Sequence, residues 1–563
     1  MRAFETTVKA LFDGRQQYVV PLFQRRYAWS KKHWKVLWQD ILELHDAKTL
    51  SDHFLGPIVT VSGEASDPVS PTRYTLIDGQ QRLTTLCLLL AALRDYSRRT
   101  HPDISDRLNG IYLTNNYVTG IDRVKVLPTQ ADRDAFLCVI DGTDLPRDSA
   151  VSEAYRFFLK AMAASDENGG PIDPPAFENA VLNRISLVSI TLGREDNPYR
   201  IFESLNYKGL KLSQSDLLRN YFFMRLPTST HESLYEGVWR PMEDRLGERM
   251  DNFIRDFYVK NGEFVRDDDV YQRWKDRVLV DDLSTEQVQA KMEELHRFSN
   301  YYYTLVEPDQ ERDASVRKAL NRLKRWGGTT AYPLLLNLCE DVERQRITKA
   351  GLARILAFIE SFLVRRAFAN IPTNALNRIF IKLYSDAQKL LGQEDLVDAV
   401  WLALSSPGHR WPSNDEFQES ILTYPLYVDS RPEQRRLILE ALEEKFDHEE
   451  PVVMTGLSVE HVMPQSLTSE WRKALGDRAA DIHRKYLHTL PNLTLIASKY
   501  NEKLSNNPFR RKQELYDYSH LELNREIAQE NAWGEEQILV RARRLSTRAL
   551  TIWPGPKELD DTS

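Results

Sequence analysis

Residues 74–99 read YTLIDGQQRLTTLCLLLAALRDYSRR, and this segment restricts the fold more tightly than any other. YTLIDG has the β-branched and aromatic make-up of a strand. LTTLCLLLAALRDYSRR (83–99) carries apolar residues around most of its circumference, as a helix does when neighbours bury it on all sides. Between them lies the turn DGQQR, where Gly79 lets the backbone reverse at little steric cost. A strand that feeds straight into a buried helix needs a sheet for that helix to cover, so an α+β domain is expected here.

Residues 1–225 mix further β-like runs and helices. YVVPLF (18–23) reads as a strand. Ser30 is a good N-cap for a helix with Trp34, Leu37, Trp38, Ile41 and Leu42 at helical spacing. Trp29, Trp34 and Trp38 are accordingly expected in the core. GEASDPVSPT (63–72) is a Pro/Ser-rich loop. Residues 226–430 read as helix almost throughout, with a capping box from Ser284 to Gln287 and a broad apolar face along TKAGLARILAFIESFLVRRAF (348–368). From 431 the chain is charged and helical until PVVMTGLSVEHVMP, where a β-hairpin is expected. The organisation is therefore α+β multidomain, in three parts: 1–225, 226–430 and 431–563.

A chain of 563 residues accommodates several cores, and 42% hydrophobic with 28% charged residues is ordinary for a water-exposed globular protein. No run approaches the ~18 apolar residues that a membrane helix needs. The N-terminus lacks the pattern of a secretory signal, and Cys87, Cys138 and Cys339 are too dispersed for a disulfide framework or a metal knuckle. A cytoplasmic location without a membrane partner is the expectation. The net charge of −7 does not advertise nucleic-acid binding. The charge is uneven, though: Lys499, Lys503, Arg510, Arg511 and Lys512, then Arg541, Arg543, Arg544 and Arg548, can engage phosphates or equally form solvated helix faces.

Residues 457–507 carry the clearest chemistry. They read LSVEHVMPQSLTSEW and, after an insert, HTLPNLTLIASKYNEKLSNN. Phosphodiester hydrolysis at one metal needs an imidazole to take a proton from water, and a hard cation, Mg²⁺ or Mn²⁺, to neutralise the departing oxygen. His461 can be that base, and Glu460 and Asn501 offer the oxygen ligands such cations prefer. Adjacent strand residues point to opposite sides. A bend near Pro464 would be needed to bring Glu460 and His461 together. Asn492 heads the short strand LTLI. His483 and His488 lie nearby, and a structural or solvent-facing place suits them.

EHVMPQS, PNLTLI and YNEKLSNNPFRRK together resemble the HNH nuclease domain that closes the GmrSD-type, modification-dependent restriction endonucleases. They are similar, more distantly, to the HNH domain of RNA-guided CRISPR nucleases. The resemblance implies a ββα-metal fold with helical flanks, His461 as general base, and Glu460 and Asn501 as metal ligands. Asn492 would orient His461 or buttress the strands. Glu460 stands where many HNH domains carry Asp. Trp471 and Lys512 also match family positions.

In the N-terminal part, the DGQQR turn is rich in hydrogen-bonding groups. Arg82 and the amides of the following helix can grip a phosphate, and Asp78 a metal or a ribose. VPLFQRRYAW (20–29), FLGPIV (54–59), LIDGQQRLTTL (76–86) and IFESLNYKGLKLSQSDLLRNYFF (201–223), in this order, resemble the N-terminal half of the same family. That half has a ParB/sulfiredoxin-like fold, binds and hydrolyses nucleoside triphosphates and helps recognise modified DNA. By resemblance, Gln24, Arg25, Asp78, Gly79, Gln80, Gln81, Arg82, Asn206 and Asp216 are nucleotide-site candidates, for GTP, ATP or another NTP. Gly209 matches the last block, and Arg26 supplies a further cation. Asp216 has an equal claim as part of a capping box with Ser213. The implied protein is an NTP- and metal-dependent DNA endonuclease of anti-phage defence, acting on modified phage or foreign DNA. A nucleotide-switched ParB-like DNA-binding regulator with an inactive HNH domain is the alternative. One HNH site cuts one strand per event, so a double-strand break calls for a homodimer or two encounters.

Overall fold

The computed structural model describes residues 2–46, 52–63, 70–164, 171–193, 196, 201, 212–279, 283–392, 394–446, 452–498 and 504–557. Two compact units divide the chain. One is Met1–Glu243 with Lys275–Glu293; the other is Asp244–Trp274 with Glu294–Ser563. The expected boundary at 430 falls inside the second unit.

The first unit is built on a six-stranded mixed sheet. Its strands are β1 (Arg2–Thr7), β2 (Gln16–Val19), β3 (His53–Ser62), β4 (Thr72–Asp78), β5 (Val126–Leu127) and β6 (Ile185–Leu192), in the order β1-β6-β3-β4-β2-β5. β1–β6 and β3–β4 are antiparallel; β6–β3, β4–β2 and β2–β5 are parallel. β2 is shorter than YVVPLF suggested, because Pro21 has no N–H to continue the ladder. The apolar segment after DGQQR is the helix Gln80–Ser97, and it is buried along most of its length, packed on the helix Ala150–Ala164. It starts three residues before the expected Leu83. Gly79, at φ +99°, turns strand into helix in a single residue. Trp34 and Trp38, on the helix Lys31–Asp46, lie in the core, and Trp29 is half-buried against His33.

Among its described residues, the second unit is helical apart from one strand pair and an isolated bridge between Leu391 and Glu394. The helix Lys349–Phe368 anchors it. Arg365, inaccessible to solvent, donates to the carbonyls of Trp553 and Pro412, and Glu360 accepts from Arg322 and from the indole of Trp553. The expected capping box is present at Ser284 and Gln287, ahead of the helix Thr285–Val306.

The hairpin expected in PVVMTGLSVEHVMP is not formed. That segment gives one strand, β7 (Leu457–His461), which pairs antiparallel with β8 (Leu493–Ala497). The helices Ser469–Leu475 and Ala479–Tyr486 lie between them in sequence. Beyond His461 one further in-register bond, Val462 N–H to Asn492 O, extends the pairing, and Pro464 then follows. The helix Phe509–Asp517 comes after β8. Met463, Trp471, Tyr486, Tyr516 and Trp533 pack into the core beneath the two strands.

Candidate active site

Glu460 and His461 are the last two residues of β7, opposite Thr494 and Leu493 of β8. The pairing runs through them without a bulge, so their side chains leave in different directions. Glu460 meets the helix Phe509–Asp517. There the Nζ of Lys512, itself inaccessible to solvent, donates to Glu460 Oε1 at 2.7 Å and to the His461 carbonyl at 2.7 Å. His461 meets the segment before β8. Its Nε2 lies 3.3 Å from His488 Nδ1, and the Tyr427 ring centroid is 4.2 Å from its own. Tyr427 is held by its N–H on the His488 carbonyl and by Arg435 over its ring.

Burial governs the electrostatics. It pushes the Glu460 carboxyl up and the Lys512 ammonium down, while each charge opposes the other's shift. His461 falls to about 3, by burial first and then by the neighbouring His488, Lys512, Arg435 and His483. It is therefore a neutral imidazole with a lone pair to offer. His488 is lowered too, again mainly by burial.

Asn492 is fully buried and spends its whole amide on structure. Oδ1 accepts from Met463 N–H at 2.8 Å and from the Trp533 indole at 3.1 Å. Nδ2 donates to the carbonyls of Met463 at 3.0 Å and Leu487 at 2.9 Å. Of its two expected roles, buttressing the strands is the one its contacts make. Asn501 lies outside the described residues. Among the described residues, no group of three or more His, Cys, Asp or Glu could hold a metal ion. Of the two expected oxygen ligands, Glu460 alone is among the described residues, and its Oε1 is engaged by Lys512.

Part of the expected basic face is interior. Arg510, Arg511, Arg543 and Arg544 are exposed, but Lys512 and Arg541 are buried. Arg541 donates to Pro491 O, and burial lowers its guanidinium to about 10. Lys499 and Lys503 lie outside the described residues.

In the first unit, parts of all four quoted blocks meet around the DGQQR junction. Arg82, in the first turn of its helix, pairs with Asp78 at 2.8 Å. Gly56, at φ +125° beside a register shift in β3, leaves the space that the Arg82 guanidinium fills; a Cβ there would collide with it. Gly79 fits closely against Ile58 and the Pro57 carbonyl. Gln81 reaches back to QRRYAW, accepting from Ala28 N–H and donating to Arg26 O. Gln24 donates to the carbonyls of Leu76 and Ile77. Both glutamines are buried ties between segments. Gln80 is half-buried at the helix start. Arg25, lowered by burial, lies within electrostatic reach of Asp78, Asp216 and Arg219. Of the two readings of Asp216, the structure bears on the cap: its N–H bonds Ser213 Oγ, while its carboxylate, instead of reaching back to Ser213, pairs with buried Arg219. Phe23 stacks on Phe223, joining the first block to the last. Asn206 and Gly209 lie outside the described residues.

Two family models match the sequence. The N-terminal domain of the GmrSD restriction endonuclease covers residues 8–223, and the C-terminal domain of GmrSD restriction endonucleases covers 411–548. The chain belongs to the GmrSD restriction endonuclease family. No curated protein matches it significantly. As a GmrSD protein it is a restriction endonuclease of phage defence, an enzyme that acts on DNA. Among its described residues, no helix is long and apolar enough to cross a membrane. The Glu460/His461 pair and the DGQQR junction each fall inside one of the two matched spans. Sequence reasoning missed several neighbours in these GmrSD domains. Tyr427 and Arg435 lie some thirty residues before His461 and carry no motif. Trp533 likewise carries no motif. Gly56 stood within FLGPIV, and an isolated Gly inside a strand pattern was the available signal.

Proposed function

We propose that this restriction endonuclease hydrolyses DNA phosphodiesters at the Glu460/His461 pair, with an HNH-type arrangement and a divalent cation. The observation that carries this is a buried, neutral imidazole placed directly after a buried carboxylate, at the end of a strand braced by β8 and Asn492. His461 takes the proton from the attacking water; Lys512 holds the Glu460 carboxylate in place. Mg²⁺ or Mn²⁺ would be held by Glu460 and Asn501. When bound, it supplies charge neutralisation at the leaving 3′ oxygen and a non-bridging oxygen. A neutral base with its lone pair available suits proton abstraction, and a phosphate brought close would raise its basicity. The first unit is assigned nucleoside triphosphate binding and hydrolysis, with Arg82, Arg25 and the uncapped start of the helix Gln80–Ser97 facing the phosphates. Modified phage or foreign DNA is the assigned target, the cytoplasm the place of action, and a homodimer the state suited to double-strand breaks.

The test is plasmid nicking with Mg²⁺ by the wild type and by His461→Ala. Activity should be lost in the variant, and undiminished nicking would remove His461 as the base. Separately, an unchanged NTP hydrolysis rate in Arg82→Ala would remove the nucleotide role. Digestion of modified DNA, plain DNA and RNA side by side tests the substrate.

A further inference from the structure

The helical part of the second unit, remote in sequence from the strand pair, contains a cavity of about 540 Å³. That is within the range of pockets that hold small ligands, roughly 300–1,000 Å³. The helices Met250–Val259, Thr285–Val306, Ala314–Trp326, Tyr332–Glu343 and Leu376–Gln388 all contribute to its walls.

The lining is divided by chemistry. The floor is buried: Tyr302 and Tyr332, their rings edge to face at 5.6 Å, and the carboxyl of Asp256. Asp256 accepts from Arg255 at 2.9 Å, and Arg255 also pairs with Asp267, so both acids of the lining are engaged by one guanidinium. Burial raises Asp256 to about 7, which brings its protonated form into the physiological range. The rim is exposed and cationic. Arg249 and Lys324 stand there, both reaching the same carboxylate, Glu307, at 2.8 and 3.1 Å. Two cations share Glu307 as two acids share Arg255, so the site is balanced when Asp256 is ionised and carries one net positive charge when Asp256 is protonated. The helix Tyr332–Glu343 is entered through the turn Thr329–Ala331; Thr329 and Thr330, at the start of that turn, line the cavity, and no side chain caps them. Two cations beside an uncapped helix start form an anion site, with a preference for phosphate. Asn252 and Asn377, also on the wall, add amides able to donate and accept.

We propose that this cavity binds a nucleoside monophosphate, its phosphate against Arg249, Lys324 and the helix start, its base over the tyrosine floor within reach of the Asp256 carboxyl. This site is independent of the nuclease assignment and of the phosphate-gripping junction at Arg82.

Calorimetric titration of the full chain with AMP and with GMP, each alone, tests it. At least one should bind saturably at millimolar concentration or below, and more tightly than its nucleoside or inorganic phosphate. The double variant Arg249→Gln/Lys324→Gln should lose about tenfold or more in affinity, roughly 1.4 kcal/mol. Both side chains are exposed, so the fold survives the change. No saturable binding of either nucleotide would overturn the proposal. So would equal affinity for inorganic phosphate, or binding unaffected by the double variant.

Discussion

Replacing Asn492 by Ala should unfasten the C-terminal strand pair. The amide is fully buried and serves four partners: the N–H and carbonyl of Met463, the Leu487 carbonyl and the Trp533 indole. Leaving a buried polar group unsatisfied costs about 1–3 kcal/mol, and four such groups at the low end sum to about 4 kcal/mol. With a urea m-value of about 3 kcal/mol/M, the midpoint should fall by more than about 1 M. Trp533 and Trp471 sit in the same core, so intrinsic fluorescence reports the transition where the damage is done. Asn492→Asp sharpens the test. It keeps both acceptor bonds at Oδ1 but sets a carboxylate against two carbonyls, so it should be no milder than Ala. Urea midpoints within about 0.3 M of the wild type for both variants would refute a bracing role, since that corresponds to under about 1 kcal/mol.

Three further outcomes are expected. Lys512→Met removes the partner of a buried carboxylate and should cost about 3–5 kcal/mol, while Lys512→Met with Glu460→Gln should recover part of the loss; strict additivity in the double-mutant cycle would argue against the pair. Gly56→Ala places a methyl group where the Arg82 guanidinium sits and at a φ of +125°, so stability should fall by about 1–3 kcal/mol and, on the proposed nucleotide role, NTP hydrolysis should drop as is expected of Arg82→Ala. Asp256 has its folded pKa raised from 3.8 to about 7, so the fold favours its protonated form; stability from this group is fully present below pH 4, declines up to pH 7 and is flat beyond, a slope that Asp256→Asn should remove when urea midpoints are compared across that window.

The fold was legible wherever local pattern and tertiary demand agreed. The helix after DGQQR could be read from its all-round apolar character, and its start was misplaced only because Gly79 completes the turn faster than the apolar pattern suggests. The capping box at Ser284 followed from chemistry between near neighbours. The β7–β8 pair was half legible. LTLI announced a strand, but the partner of β7 was sought nearby, because sequence pattern favours adjacent strands. At the site, Glu460 and His461 were visible as a motif, whereas their separate directions were not. Those depend on Lys512, Tyr427 and His488, which reach them from three other segments. In the N-terminal cluster, Gln24 and Gln81 were read as ligand contacts; their amides instead bond backbone, because the loop they hold is otherwise without a ladder.

The separation of β7 from β8 also sets an order of events in folding. Closing a loop of some thirty residues costs about 3 kcal/mol in chain entropy before any strand bond repays it. The closing segment is no idle tether, since Trp471, Ile482 and Tyr486 within it supply much of the surrounding core. Strand pairing and collapse of that core therefore have to occur together, and a nascent chain must extend beyond Trp533 before Asn492 has its full set of partners. A polypeptide interrupted earlier holds His461 without the scaffold that positions it. Synthesis from the N-terminus thus completes the surroundings of His461 only after Trp533 has emerged.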